Sequence, residues 1–337
     1  MSKSITPIVD KFTILTKEYG NDSKKYWWPN YLFHFSNIEN IIEILKCGKL
    51  YSRSEAINME IMHSDNAAKE VIAKTNEAIG KYVRFYFRPK TPTQFHNEGY
   101  KMKDMRMQEA HCPMPIFMLF KTVLIFKNYD CLFSAQTLAS NMTKDIYSNY
   151  EDIDKLDFSM IYHSESFDTS DRKKRNAIIS SRHAEVIVKG SVTIDNCLRQ
   201  ICCRSQAEYD TLMLKLRELD KSIYEKYKNI ITYKEVDLFF KNGYYIEKVS
   251  LRYDSFNISF NAPLENRDLK VTFIINTDNR EYKCIKIFNF KKRNNFQFSF
   301  ISDMQDDTKN GYYLSVIFND ESEMYYGKYD GISFLIE

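Results

Sequence analysis

The chain has 337 residues, 44% hydrophobic and 28% charged, with a formal net charge of +3. That is apolar mass for one large or two medium cores, and it excludes wholesale disorder. The 9 glycines show neither the G-x-G-x-x-G spacing of a dinucleotide turn nor that of a phosphate-cradling G-x-x-x-x-G-K loop, which excludes Rossmann and P-loop chemistry. The 7 cysteines are odd in number and include no C-x-x-C pair, so they read as reduced thiols, not as a disulfide framework or a zinc site. Met1 to Thr6 has no apolar signal region, and the longest apolar run, Pro115 to Phe126, contains Lys121 and is too short to span a bilayer. A soluble, cytoplasmic protein with no metal and no membrane contact is expected.

Tyr31 to Phe35 reads as a strand. Ser36-Asn37-Ile38-Glu39 has the spacing of a capping box, with Ser36 accepting from the third helical amide and Glu39 reaching back. Ile38, Ile41, Ile42 and Leu45 follow at helical spacing, and Gly48 ends the helix. Residues 55–80 predict a second helix. Residues 82–87, 116–126 and 184–189 are rich in aromatic and branched side chains and predict strands. Ser205-x-x-Glu208 caps a further helix that carries Leu212, Leu216, Leu219 and Ile223. From about Tyr244 the period becomes two, as in Phe256/Ile258/Phe260, Val271/Phe273/Ile275 and Leu314/Val316/Phe318. Turn-like clusters separate these runs, and the pattern predicts a small antiparallel sandwich with the aromatics as its core.

Charge is unevenly placed. From Arg172 to Arg204 there are eight basic residues against two acids, Glu185 and Asp195. A second basic stretch, Arg84 to Arg106, is interleaved with Tyr86, Phe87, Phe95 and Tyr100. Cations beside aromatic faces suit a single-stranded nucleic acid, with phosphates on the charges and bases on the rings.

Three blocks occur in one order. The first is Leu32-Phe33-His34-Phe35-Ser36, ahead of the helix that ends at Gly48. The second is Tyr82-Val83-Arg84-Phe85-Tyr86-Phe87-Arg88-Pro89, with Pro92 beyond it. The third is Asp171-Arg172-Lys173-Lys174-Arg175, followed by His183-Ala184-Glu185-Val186. Together they resemble the DarT family of DNA ADP-ribosyltransferase toxins, over roughly residues 30–200. The resemblance implies an α+β, ADP-ribosyltransferase-like mixed fold, a central split β-sheet with flanking helices, in residues 1–240. Residues 241–337, beyond the family's core, would be a separable all-β domain for recognition or partner binding.

The same resemblance implies an NAD-dependent enzyme that breaks the nicotinamide–ribose bond and passes ADP-ribose to a nucleobase of single-stranded DNA. Glu185 is then the carboxylate that holds the ribose hydroxyl and stabilises the developing positive charge. His34 and Tyr86 hold NAD; Ser36 contacts NAD or caps its helix, two compatible roles. Arg53 is the best match to the family's arginine near the acceptor base. The segment Ser164 to Arg182 would form a loop facing the acceptor, with Arg172, Lys173, Lys174 and Arg175 on phosphates and Arg182 and His183 near the base. Arg84 stands where the family often has proline, and Thr93 and Gln94 stand where thymidine-modifying members tend to carry Met and Leu. A polar Gln94 can satisfy a purine edge, which tilts the expected base away from thymine. The alternatives are the same transfer onto RNA, or an inactive nucleic-acid-binding or partner-docking module. For a toxin the resemblance implies an antitoxin, often a macrodomain ADP-ribosyl hydrolase.

Overall fold

The computed structural model describes residues 3–64, 77–138, 146–165, 170–234, 236–263, 267–289 and 294–331. The first nine strands are β1 (Tyr31–Asn37), β2 (Lys49–Tyr51), β3 (Tyr82–Tyr86), β4 (Pro115–Lys121), β5 (Cys131–Ser134), β6 (Glu185–Lys189), β7 (Ser191–Thr193), β8 (Leu198–Cys203) and β9 (Ile231–Thr232). Seven of them form one sheet in the order β5-β6-β3-β1-β4-β8-β9, and β2 pairs with β7. Every residue of β4 except Lys121 is buried, as a strand covered on both faces requires. β1 runs antiparallel to β4 through seven registered pairs, from Tyr31–Lys121 to Asn37–Pro115. The helix Ile38–Cys47 then lays Ile38, Ile41 and Leu45 into the core, each contributing about 1.5–3 kcal/mol on burial. Gly48 ends it in the left-handed conformation at φ 65°, which glycine adopts without a Cβ clash.

Several expected elements differ. Residue 37, not Ser36, is the helix N-cap and makes no side-chain cap bond. The capping box does not form because β1 continues through Ser36, whose Oγ accepts from Asn40 Nδ2 at 2.9 Å. The strand expected over residues 116–126 is β4 followed by the helix Thr122–Asn128. The long helix expected over 55–80 is a short one, Arg53–Asn58, with a 3₁₀ turn at Glu77–Lys81; residues 65–76 lie outside the described residues. The segment expected to be a loop facing the acceptor contains a helix, Arg172–Ser181, because Asp171 caps it by accepting from the Lys174 amide. Ser205 does cap its helix, Gln206–Leu219, at the Glu208 amide. That helix stops at Asp220, which caps the next one, Lys221–Tyr227.

Beyond residue 240 the remaining strands are β10 (Ile246–Leu251), β11 (Ser255–Phe260), β12 (Leu269–Asn276), β13 (Glu281–Phe288), β14 (Asn295–Ser299), β15 (Tyr312–Phe318) and β16 (Ser322–Tyr329). They build two antiparallel sheets, β10-β11-β14 and β13-β12-β15-β16. The core between them is aromatic: Phe256 meets Phe273 at 5.4 Å and Phe260 meets Phe318 at 6.1 Å between ring centroids. These sheets also pack on the first part of the chain. Ser205 Oγ donates to the Ile246 carbonyl at 2.7 Å, and the Tyr326 amide donates to Thr211 Oγ1 at 3.0 Å. Glu98 accepts from the amides of Phe240 and Lys241 at 2.9 and 2.6 Å. A single cluster of buried apolar residues runs from Ile8 to Tyr325.

Candidate active site

β6 enters the large sheet at Glu185, which is registered opposite Tyr86 of β3 and Ser134 of β5. Arg84 and Tyr86 are two residues apart on β3, so the pleat sends both to the face from which Glu185 projects. Arg84 Nε donates to Glu185 Oε2 at 2.6 Å and Nη2 donates to Oε1 at 2.5 Å. This is the two-point pairing that a guanidinium fork and a carboxylate form best. Glu185 is fully buried while the Arg84 side chain remains 30% exposed. Burial alone would lower the Arg84 pKa, but the Glu185 carboxylate outweighs it and holds the guanidinium above its ordinary value. Burial, then the same carboxylate, raises the Tyr86 phenol, which keeps its hydroxyl a donor at neutral pH.

The sheet opens next to this group. β1 and β3 share one registered pair, Phe33–Tyr86, whereas β1 pairs with β4 along its full length. His34 uses the gap: its Nδ1 lies 3.1 Å from the Arg84 carbonyl oxygen. Donation from Nδ1 leaves Nε2 as the acceptor of a neutral ring. Burial lowers the His34 pKa, only partly opposed by that bond, so the ring stays neutral near pH 7. His34 and Ser36 line a cavity of about 90 Å³ together with Asn40, Tyr51, Ala56 and Met62. Asn40 is buried and fully engaged. Its Nδ2 donates to Ser36 Oγ and to the Ser64 carbonyl at 2.9 and 2.7 Å. Its Oδ1 accepts from the His63 and Ser64 amides at 2.9 and 3.2 Å, pinning that segment beside the cavity.

The structure thus places Glu185 and Tyr86 beside the Arg84 side chain and His34 against the Arg84 carbonyl, its ring toward Phe85, with Ser36 lining the same cavity as His34. Arg53 opens the Arg53–Asn58 helix; the guanidinium seated on Glu185 is Arg84's. Neither Arg84 nor Asn40 stands out as a site residue in the sequence. Arg84 carries a signal, its period-two spacing from Tyr86, and Asn40 carries another, a polar side chain within an apolar helix face. Neither signal names the partner.

In the segment expected to face an acceptor, Arg172, Lys173 and Lys174 are exposed on the first turn of their helix, and Arg175 is partly buried. Arg182 is occupied close to home: Nε donates to the His163 carbonyl at 3.0 Å and Nη2 to the Glu165 carbonyl at 3.3 Å. Buried Arg88 donates to the same His163 carbonyl at 2.5 Å. Burial, with Arg182 nearby, takes its pKa down to about 9. His183 Nδ1 lies 3.5 Å from Thr93 Oγ1. Gln94 requires a correction, since it is fully buried. Its Nε2 donates to Glu98 and the Leu238 carbonyl, both at 2.8 Å, and its Oε1 accepts from the Lys90 amide at 2.7 Å. Every polar atom of that side chain is spent inside the protein, so Gln94 does not read a base edge. Four cations of the second basic stretch are engaged within the protein: Arg84 on Glu185, Arg88 against Trp28, Lys90 on Asp237 and Arg106 on Glu321. Among the described residues no group of three or more His, Cys, Asp or Glu could hold a metal ion. No described helix is long and apolar enough to cross a membrane.

The family model described as "ssDNA thymidine ADP-ribosyltransferase, DarT" matches residues 33–231. The chain belongs to the DarT family. The matched span begins at the first block of β1 and covers Arg84, Tyr86 and Glu185. Its enzyme class is therefore ADP-ribosyltransferase, which draws ADP-ribose from NAD. Among solved structures, Thermus sp. 2.9 DarT in complex with ADP-ribosylated ssDNA is 17% identical with a TM-score of 0.47, covering 63% of this chain and 97% of that one. Thermus sp. 2.9 DarT in complex with NAD+ is 15% identical with a TM-score of 0.44, covering 63% of this chain and 98% of that one. No curated protein sequence matches.

Proposed function

We propose that the chain transfers ADP-ribose from NAD to a base of single-stranded DNA, acting in the cytoplasm as the toxin of a toxin–antitoxin or phage-defence system. The observation that carries the reading is the Glu185 carboxylate, fixed at the head of β6 opposite Tyr86 and two hydrogen bonds from Arg84, inside the span that matches the DarT family. Cleavage of the nicotinamide–ribose bond builds positive charge on the ribose, and a pre-placed carboxylate lowers the barrier by meeting that charge without reorganising. His34, neutral with Nε2 accepting, and Tyr86, a donor, are suited to orient NAD beside it. Ser36 would contribute from the wall of the 90 Å³ cavity, and Arg53 would act near the acceptor.

The exposed cations Arg172, Lys173 and Lys174, with Arg175, would hold phosphates, an interaction that positions a strand without reading it. Arg182 and His183 stand closest to Glu185 in sequence and would border the acceptor base. With Gln94 buried, the argument against thymine that rested on it falls away. The C-terminal sheets would bind the acceptor or an antitoxin, for which a macrodomain ADP-ribosyl hydrolase is the expected chemistry. The full chain should be incubated with labelled NAD and, separately, single-stranded DNA, RNA and protein. Label on DNA alone is the expected outcome. Label on RNA alone would replace the acceptor, and no label on any of the three would overturn the proposed activity.

A further inference from the structure

We propose that Arg84 is a positioning residue for the Glu185 carboxylate, and that this single residue of β3 sets the relative placement of Glu185 and His34. The inference rests on the transfer reaction proposed above. Arg84 reaches Glu185 with both Nε and Nη2 and His34 with its own carbonyl oxygen. It does so from a strand that cannot yield. Val83 and Phe85 on either side of Arg84 are buried, and β3 is bonded to β6 through five registered pairs, from Tyr82–Lys189 to Tyr86–Glu185.

The geometry decides which part of the carboxylate remains for substrate. An ionised carboxylate offers about four lone-pair sites. Arg84 takes one on each oxygen, and the Leu138 amide lies 3.5 Å from Oε1. Oε2 accepts only from Arg84 Nε among these contacts, and its second lone-pair site would receive a ribose hydroxyl once substrate enters. A glutamate alone would sample several rotamers; the fork holds it in one. Lysine, a point charge on a flexible stem, supplies attraction without the two-point register. Removing the clamp should therefore slow the chemical step and leave NAD binding largely in place.

A double-mutant cycle on the full chain tests this, with kcat and KM for NAD measured in the presence of a single-stranded oligodeoxynucleotide. Arg84→Met should lower kcat about a hundredfold, the cost of misplacing a reacting group by about 1 Å, while KM for NAD moves by less than about threefold. Arg84→Lys should recover part of the loss. In a Glu185→Gln background, Arg84→Met should cost nothing further, because a residue that acts through Glu185 has nothing left to position. Losses that multiply across the cycle, or an Arg84→Met protein with wild-type or higher kcat, would overturn the proposal. Glu185 is buried, so Arg84→Met leaves an unpaired charge and risks unfolding. Arg84→Lys then takes its place in the same cycle: slowing confined to the Glu185 background supports the proposal, and equal slowing in both backgrounds overturns it. Absence of NAD turnover by the unaltered chain would remove the proposed function and this inference together, whereas turnover insensitive to Arg84 removes the inference alone.

Discussion

At Glu185 a buried carboxylate is held by a partly exposed guanidinium, an arrangement that separates its electrostatic role from its structural one. Glu185→Gln keeps the shape and one acceptor oxygen while removing the charge, and Arg84 can turn its exposed edge to water. We expect that variant to keep its far-UV circular dichroism and to lose transfer by at least about a hundredfold, the usual cost of removing one charge-stabilising group. Retained transfer in the folded variant would take Glu185 out of the chemistry. Gln94 makes the opposite point at the same scale. Gln94→Leu removes three internal hydrogen bonds and leaves the Lys90 amide and the Leu238 carbonyl without their partner. A loss of about 1–3 kcal/mol in urea unfolding is expected, with no change in which base is modified. A changed base preference would restore Gln94 to the acceptor site.

Among the elements, the helix Arg172–Ser181 shows how one residue converts a charge run into a platform. Four consecutive cations have no apolar stripe to drive folding, and only Ile178 of that helix is buried. The helix starts because Asp171 accepts from the Lys174 amide, where a carboxylate also suits the positive end of the helix dipole. Replacing Arg172, Lys173, Lys174 and Arg175 by glutamine should weaken binding of single-stranded DNA regardless of sequence. It should also flatten the slope of log affinity against log salt by about 0.7 for each phosphate that is no longer neutralised. NAD consumption without DNA should be unaffected. An unchanged salt slope, measured by fluorescence anisotropy, would make the helix a solvated surface and nothing more.

Taken as a whole, the molecule shares one apolar core between its two sets of sheets. The helix Gln206–Leu219 sits at the junction, with Leu212 and Leu216 fully buried. Arg204 is buried there too, its guanidinium paired with Glu208 and stacked 4.1 Å from the Tyr245 ring centroid. A chain ending at Lys241 would expose that apolar face and strip the aromatic cover from a buried cation, so it should aggregate. A monomeric, cooperatively melting truncation, judged by gel filtration and calorimetry, would show that the junction is dispensable.

The pH response also belongs to the whole fold. His34, His96, His111 and His163 are all held below the ordinary imidazole value, chiefly by burial, with His111 at about 3. As pH falls below about 6.5 the unfolded chain binds those protons first, so stability drops with pH. Glu165 and Glu321, taken to about 2 by Lys25 and Arg106 respectively, lose their contribution below about pH 4.5 in the same direction. Asp210, raised to about 6 by burial, opposes part of this, and the melting temperature should be lower at pH 3 than at pH 7. His111→Asn should reduce the fall between pH 7 and pH 5, and an unaltered profile in that variant would contradict the assignment.

What local spacing encodes was legible from the residues alone. The strand at Tyr31, the helix closed by Gly48, the Ser205 cap and the period-two sandwich each depend on side chains a few positions apart. The three blocks in their order were enough to mark the family and to nominate Glu185, His34 and Tyr86. Other features depended on partners far along the chain. The Arg84–Glu185 pair joins residues 101 positions apart, and Gln94 is held inside the protein by a carbonyl 144 positions away. β1 extends through Ser36 because its pairing with β4 reaches Asn37, at the expense of the capping box. The tertiary structure decided these points because strand register and burial determine which polar groups meet, and a side chain's chemistry follows from the partner it meets.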